Sequence, residues 1–201
     1  MAQDFTEKQL KSSLAFQGRM LEVRVDRVLV PDDSQTTREY VVHPGASVIV
    51  PLFEDGTVLV ERQFRYPVKQ HMTELPAGKL DRNEAPENAA RRELLEETGY
   101  EAQRWDFIGT MMPCIGYSDE RIHAYLARDL TYSKRNLDEG EFLETSDDWQ
   151  ECGHHLRRGR QLLNYKGSGV VHATNHTSAD ATVSIVDKYR PLFILPLLCV
   201  L

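Results

Sequence analysis

The stretch Gly78–Tyr100, GKLDRNEAPENAARRELLEETGY, decides how the rest of the chain is read. Pro86 suits the first turn of a helix, and Glu87 suits its positive end. Gly99 stands where a helix C-terminus needs a left-handed residue. On that helix Glu93, Glu96 and Glu97 fall at i, i+3 and i+4, so their carboxylates share a face. Like charges at that spacing cost roughly a few tenths of a kcal/mol. A solvated acidic face is the plain alternative, but such a face alternates signs, as Glu87 and Arg91 do. A divalent cation removes the conflict. Hard oxygen ligands clustered on a rigid element are what Mg²⁺ or Mn²⁺ takes, and such ions usually keep waters and share substrate phosphates. Arg92 lies one turn before Glu96 and is placed to pair with it.

Around this helix the pattern is mostly strand. MLEVRVDRVLV (20–30) alternates apolar and charged residues, as a half-buried strand does. PDDSQ is a turn and TREYVVHP (37–44) a second strand. ASVIVPLF (46–53) is a near-continuous apolar run, expected as a central strand. Asp55-Gly56 makes a tight hairpin turn into VLVERQFR (58–65). MTELPAG (72–78) reads as a short strand, and QRWDFIGTMM (103–112) and RIHAYLARDL (121–130) as two more.

The chain has 201 residues, enough for one domain with a core. A net charge of −7 argues against a general binder of nucleic acid or anionic membrane. The start, MAQDFTEKQL, lacks the basic and apolar regions of a signal peptide. The longest apolar run, PLFILPLLCVL (191–201), is too short to cross a bilayer. Cys114, Cys152 and Cys199 lack metal or redox spacing and read as reduced thiols of a cytoplasmic protein. The sequon at Asn175 is then without consequence.

Read by spacing, the opening stretch is Gly78, five residues, Glu84, seven residues, Arg92-Glu93-Leu94, one residue, Glu96-Glu97, one residue, Gly99-Tyr100. It resembles the Nudix box at every specified position. The flanks REYVVHPGA (38–46), VERQFRYPV (60–68), ELPAGKLD (74–81), GYSDERIHAYLARDL (116–130) and DEGEFLE (138–144) resemble the ADP-ribose pyrophosphatase branch. Other nucleotide-sugar hydrolases share much of these flanks.

The resemblance implies an α+β fold, an α/β/α sandwich with a mixed sheet, and an N-terminal antiparallel strand region. Residues 1–45 would be that region, which helps build the dimer and the adenine pocket. Residues 46–145 would be the hydrolase core, and 146–201 an atypical tail. It implies Mg²⁺ or Mn²⁺ held by Glu93, Glu97, the carbonyl of Ala77 and Glu141. Glu96 would bind a further metal or orient a ligand. Arg92 would hold a carboxylate in place, with Glu84 behind it, and Gly78 would let the chain turn. A loop glutamate would act as base, Glu141 first and Glu139 second. Arg65, Arg38 and His43 would contact substrate, and Tyr40 or Tyr66 could stack on adenine. The implied reaction is hydrolysis of ADP-ribose to AMP and ribose 5-phosphate by a homodimer. A GDP-sugar or NADH substrate, or a non-catalytic nucleotide-binding domain, are the alternatives.

After Glu144 the family pattern is lost. Asp147-Asp148 stands where an apolar strand is expected, and one account is a reading-frame shift near residue 145. WQECGHHLRRGRQLLN (149–164) reads as a basic helix and ATVSIV (181–186) as a strand. His154-His155 lacks carboxylate or cysteine partners for a metal.

Overall fold

The computed structural model describes residues 3–137 and 142–146. They divide into two compact units. One holds the residues up to Gly45 together with Met112–Ile122; the other holds Ala46–Met111 and the residues from His123 onward. The expected basic helix, the ATVSIV strand and the paired histidines lie outside the described residues.

The first unit is an antiparallel meander of β1 (Lys8–Gln17), β2 (Glu22–Leu29) and β3 (Gln35–Val42). The PDDSQ turn closes between Val30 and Ser34, with Asp33 left-handed at φ 62°. β1 went unread in the sequence, where the first strand begins at Met20. Its side chains are all exposed, and two bulges break its alternation, so it carries no half-buried signature. The segment Met112–Ile122 docks beside β3: Val41 N–H donates to the Tyr117 carbonyl at 2.8 Å, and Asp119 N–H to the Val41 carbonyl at 3.3 Å.

The second unit carries two sheets. One has the order β7 (Ala77–Lys79), β4 (Ala46–Pro51), β9 (Ile122–Tyr132), β8 (Tyr100–Met111). The other has the order β10 (Leu143–Ser146), β5 (Val60–Arg65), β6 (Gln70–Glu74). The expected MTELPAG strand is split, because the Leu75-Pro76 step ends β6 and a new strand, β7, begins at Ala77. Gly56, at φ 84°, makes the expected hairpin turn.

Helix α1 (Pro86–Glu93) begins with Pro86 in its first turn. It continues as a π-helical turn, Leu94–Thr98, which Gly99 ends in the left-handed region at φ 77°. Ala89 and Ala90 are fully buried, and their small side chains let the helix sit directly on the sheet. Ile49, Ala90, Leu94, Tyr125 and Ala127 form the core beneath it. Ser47, also fully buried, donates its hydroxyl to the Pro86 carbonyl at 2.7 Å and pins the first turn to β4. Truncating Leu94 to Ala would leave a cavity costing about 2–5 kcal/mol.

Candidate active site

Helix α1 and strand β7 face each other. Glu93 is 9% exposed and Glu97 4%. The Ala77 N–H donates to Glu97 Oε2 at 3.0 Å, which fixes that carboxylate against β7. A methyl group on Gly78 would overlap the Glu93 carboxylate outright. The role expected for Gly78, a turn, is therefore corrected. It lies within β7 and has no left-handed conformation. What it supplies is room for a carboxylate against backbone.

Glu93 and Glu96 share one Arg92 nitrogen, Nη1, as donor. The helix opens into a π turn between Glu93 and Thr98, a device frequent at functional sites. Glu93 and Glu97 are buried, whereas Glu96 remains half-buried on the side of Arg92. Arg92 is the hub. It donates to both Glu84 oxygens at 3.0 Å, to Glu93 at 2.8 Å, to Glu96 at 3.0 Å and to the Lys79 carbonyl at 3.1 Å. These bonds, Glu84's first, hold the guanidinium well above its ordinary pKa. In return the Arg92 bond holds Glu84 below the usual carboxylate range. Glu84 also accepts from the Asp81 N–H at 2.9 Å, so it ties the loop to the helix.

Two further buried carboxylates went unread. Glu61 is 1% exposed and Glu74 6%, and they are directly opposite each other across β5 and β6. Glu61 Oε1 accepts from Gln63 at 3.1 Å, while Oε2 is buried without a hydrogen-bond partner. Burial, and then the charge of Glu74, push the Glu61 carboxyl up to about 7. The signal available was parity: Glu61, Gln63 and Arg65 lie on one face of a strand whose other residues are apolar or exposed.

Arg65 ends β5, opposite Gln70 of β6. Its guanidinium is bidentate on Glu74, with the shortest contact 2.6 Å. Burial works to lower its pKa, but the Glu74 bond and the nearby carboxylates outweigh it and raise it. Arg38 and His43 belong to the other unit. Arg38 pairs with Glu7 at 2.6 Å. His43 Nδ1 accepts from the Gly45 N–H at 3.1 Å, and its Nε2 lies 3.8 Å from Glu120. Tyr40 donates to Asp26 at 3.2 Å, and Tyr66 is exposed beneath the Lys69 ammonium. Glu139 and Glu141 lie outside the described residues.

Among the described residues no three His, Cys, Asp or Glu side chains already converge as a ligand set. The reason is visible: Arg92 takes Glu93 and Glu96, and the Ala77 N–H takes Glu97. The donor chemistry nevertheless fits a hard divalent cation. Four carboxylates are buried together in this unit, one Glu61 oxygen lacks a hydrogen-bond partner, and the cradle at Gly78 keeps the Glu93 carboxylate against backbone.

Residues 42–160 match the NUDIX domain family, and the chain belongs to that family. Among its relatives is an ADP-ribose pyrophosphatase of Bacillus subtilis, 36% identical over 162 residues, 80% of this chain and 88% of that protein. A methanol dehydrogenase activator of Bacillus methanolicus is 36% identical over 146 residues, 72% of this chain and 79% of that protein. An ADP-ribose pyrophosphatase of Mycobacterium tuberculosis is 33% identical over 150 residues, 74% of this chain and 72% of that protein. A crystal structure of an ADP compounds hydrolase superposes with a TM-score of 0.65 at 21% identity, covering 72% of this chain and 80% of that one, a likeness of fold. The fold is thus the α+β Nudix fold, and the chain is a Nudix pyrophosphatase that depends on a divalent cation. No helix among the described residues is long and apolar enough to cross a membrane.

Proposed function

We propose that this chain hydrolyses the diphosphate bond of ADP-ribose to AMP and ribose 5-phosphate with Mg²⁺ or Mn²⁺. The observation that carries the reading is the pair Glu93 and Glu97, buried against Ala77 and Gly78 inside a complete box. The two relatives named ADP-ribose pyrophosphatase support the substrate.

Glu93, Glu97, the Ala77 carbonyl and Glu141 would hold the cation. When bound, the cation neutralises charge on the diphosphate and lowers the pKa of the attacking water. Arg92 keeps Glu93 and Glu96 oriented through its bonds to both. Arg65 offers a cation to the diphosphate, and Arg38 and His43 contact the rest of the substrate. A loop glutamate, Glu141 before Glu139, takes the proton from water. Residues 46–145 form the catalytic core. The N-terminal sheet mediates a homodimer, a reading supported by Leu10, Leu14 and Phe16, which stand 44–56% exposed on β1. The protein works in the cytoplasm.

The test is a substrate panel of ADP-ribose, a GDP-sugar and NADH, with product read as AMP, GMP or NMN. ADP-ribose is expected to give the highest kcat/KM in wild type. Faster release of GMP or NMN would overturn the substrate assignment. Light scattering on the full chain checks the dimer, and a monomer mass at assay concentration would refute it.

A further inference from the structure

Glu74 is a buried carboxylate that no part of the box explains. Its side chain is 3% exposed, whereas that of Arg65 is 27% exposed. Arg65 Nε lies 3.0 Å from both Glu74 oxygens, and Nη2 lies 2.6 Å from Oε2. Gln63, on the same face of β5, donates to Glu74 Oε2 at 3.3 Å and to Glu61 Oε1 at 3.1 Å. The frame thus runs from Gln63 to Glu74 to Arg65.

This frame is poor as a stabilising device. Glu61 and Glu74 are directly opposed across the strands, and like charges in that position destabilise a sheet. A buried ion pair is often no better than apolar residues of the same volume. What the frame does achieve is orientation. An arginine side chain carries about 2 kcal/mol of rotamer entropy, and a planar fork seated on a carboxylate has already given most of it up. A cation fixed before the substrate arrives binds it with less ordering cost.

We propose that Glu74 is a positioning residue for the reaction, acting through Arg65, with Gln63 steadying Glu74. The proposal rests on the reading above that Arg65 meets the diphosphate.

A double-mutant cycle tests it, with steady-state kinetics on the best substrate of the panel and thermal unfolding of each variant. Glu74→Gln is expected to raise KM about ten-fold, with kcat within about three-fold of wild type. Arg65→Ala should raise KM at least as much. Adding Glu74→Gln to Arg65→Ala should then change KM no further, because the residue through which Glu74 acts is gone. A full extra ten-fold in the double variant would overturn the proposal, as would a wild-type KM in Glu74→Gln while Arg65→Ala is impaired. A wild-type KM in Arg65→Ala removes the Arg65 assignment and this proposal together, yet leaves the hydrolase reading standing. A wild type that hydrolyses nothing in the panel ends both. Should Glu74→Gln unfold, Glu74→Asp carries the test: it keeps the charge but draws the fork back. Its KM is expected to rise, and a wild-type value would overturn the proposal.

Discussion

The N-terminal sheet and the box unit differ in how many carboxylates they bury: the sheet buries Asp26, whereas the box unit buries four glutamates. In the sheet, ion pairs lie at the surface: Arg38 with Glu7 and Arg24 with Glu22, all at least 28% exposed. In the box unit Glu61, Glu74, Glu93 and Glu97 are each at most 9% exposed, with Arg65 bonded to Glu74 and Arg92 to Glu93. Surface pairs contribute little to stability, and losing one changes little. Carboxylates buried together are a standing cost to the metal-free fold, tolerated where chemistry requires them. The contrast teaches where to look for function in this chain: in charge that the fold would be more stable without.

The sharpest break of that contrast is Glu97→Gln. Turnover should fall by orders of magnitude, while the melting temperature in chelator holds or rises, because a buried charge is removed and the amide oxygen still accepts from Ala77. Calorimetry beside the kinetic assay checks both halves; a large fall in melting temperature would make Glu97 structural. Next is pH. Glu61 holds its proton to about pH 7 in the folded, metal-free protein, against 4.5 in the unfolded chain. The folded state therefore binds the extra proton between those values. Metal-free stability should fall as pH rises from 4.5 through 7, by on the order of 3 kcal/mol in all. Urea unfolding at a series of pH values in chelator measures this, and Glu61→Gln should flatten the slope. An equal slope in the variant would place the titration elsewhere. Gly78→Ala follows, with an expected loss of about 1–3 kcal/mol from crowding Glu93 and a matching collapse of activity. The smallest effect belongs to the sheet: Arg38→Ala should cost under about 0.5 kcal/mol, and less at high salt.

Much of this was legible in the sequence. Helix α1 was readable because Pro86, Glu87 and Gly99 mark its ends and spacing fixes its charges. Arg92 and Glu84 were placed by the same spacing, and the structure joins them. The π turn was not legible, because LLEET contains nothing that a plain helix would refuse. Gly78 was misread as a turn, since only the neighbouring Glu93 reveals that the missing side chain leaves room. Glu61 and Glu74 escaped because a charged residue on a strand looks exposed until both faces of the sheet are known. β1 escaped because a strand exposed along its length, with two bulges, leaves no periodic trace.

The most direct measurement is the thermal unfolding of the metal-free protein with and without magnesium, above pH 7. Neutralising the carboxylates should raise the melting temperature in wild type, and the rise should vanish when Glu93 and Glu97 are both changed to Gln. Identical shifts in the two proteins, or none in wild type, would show that no cation is held between those side chains.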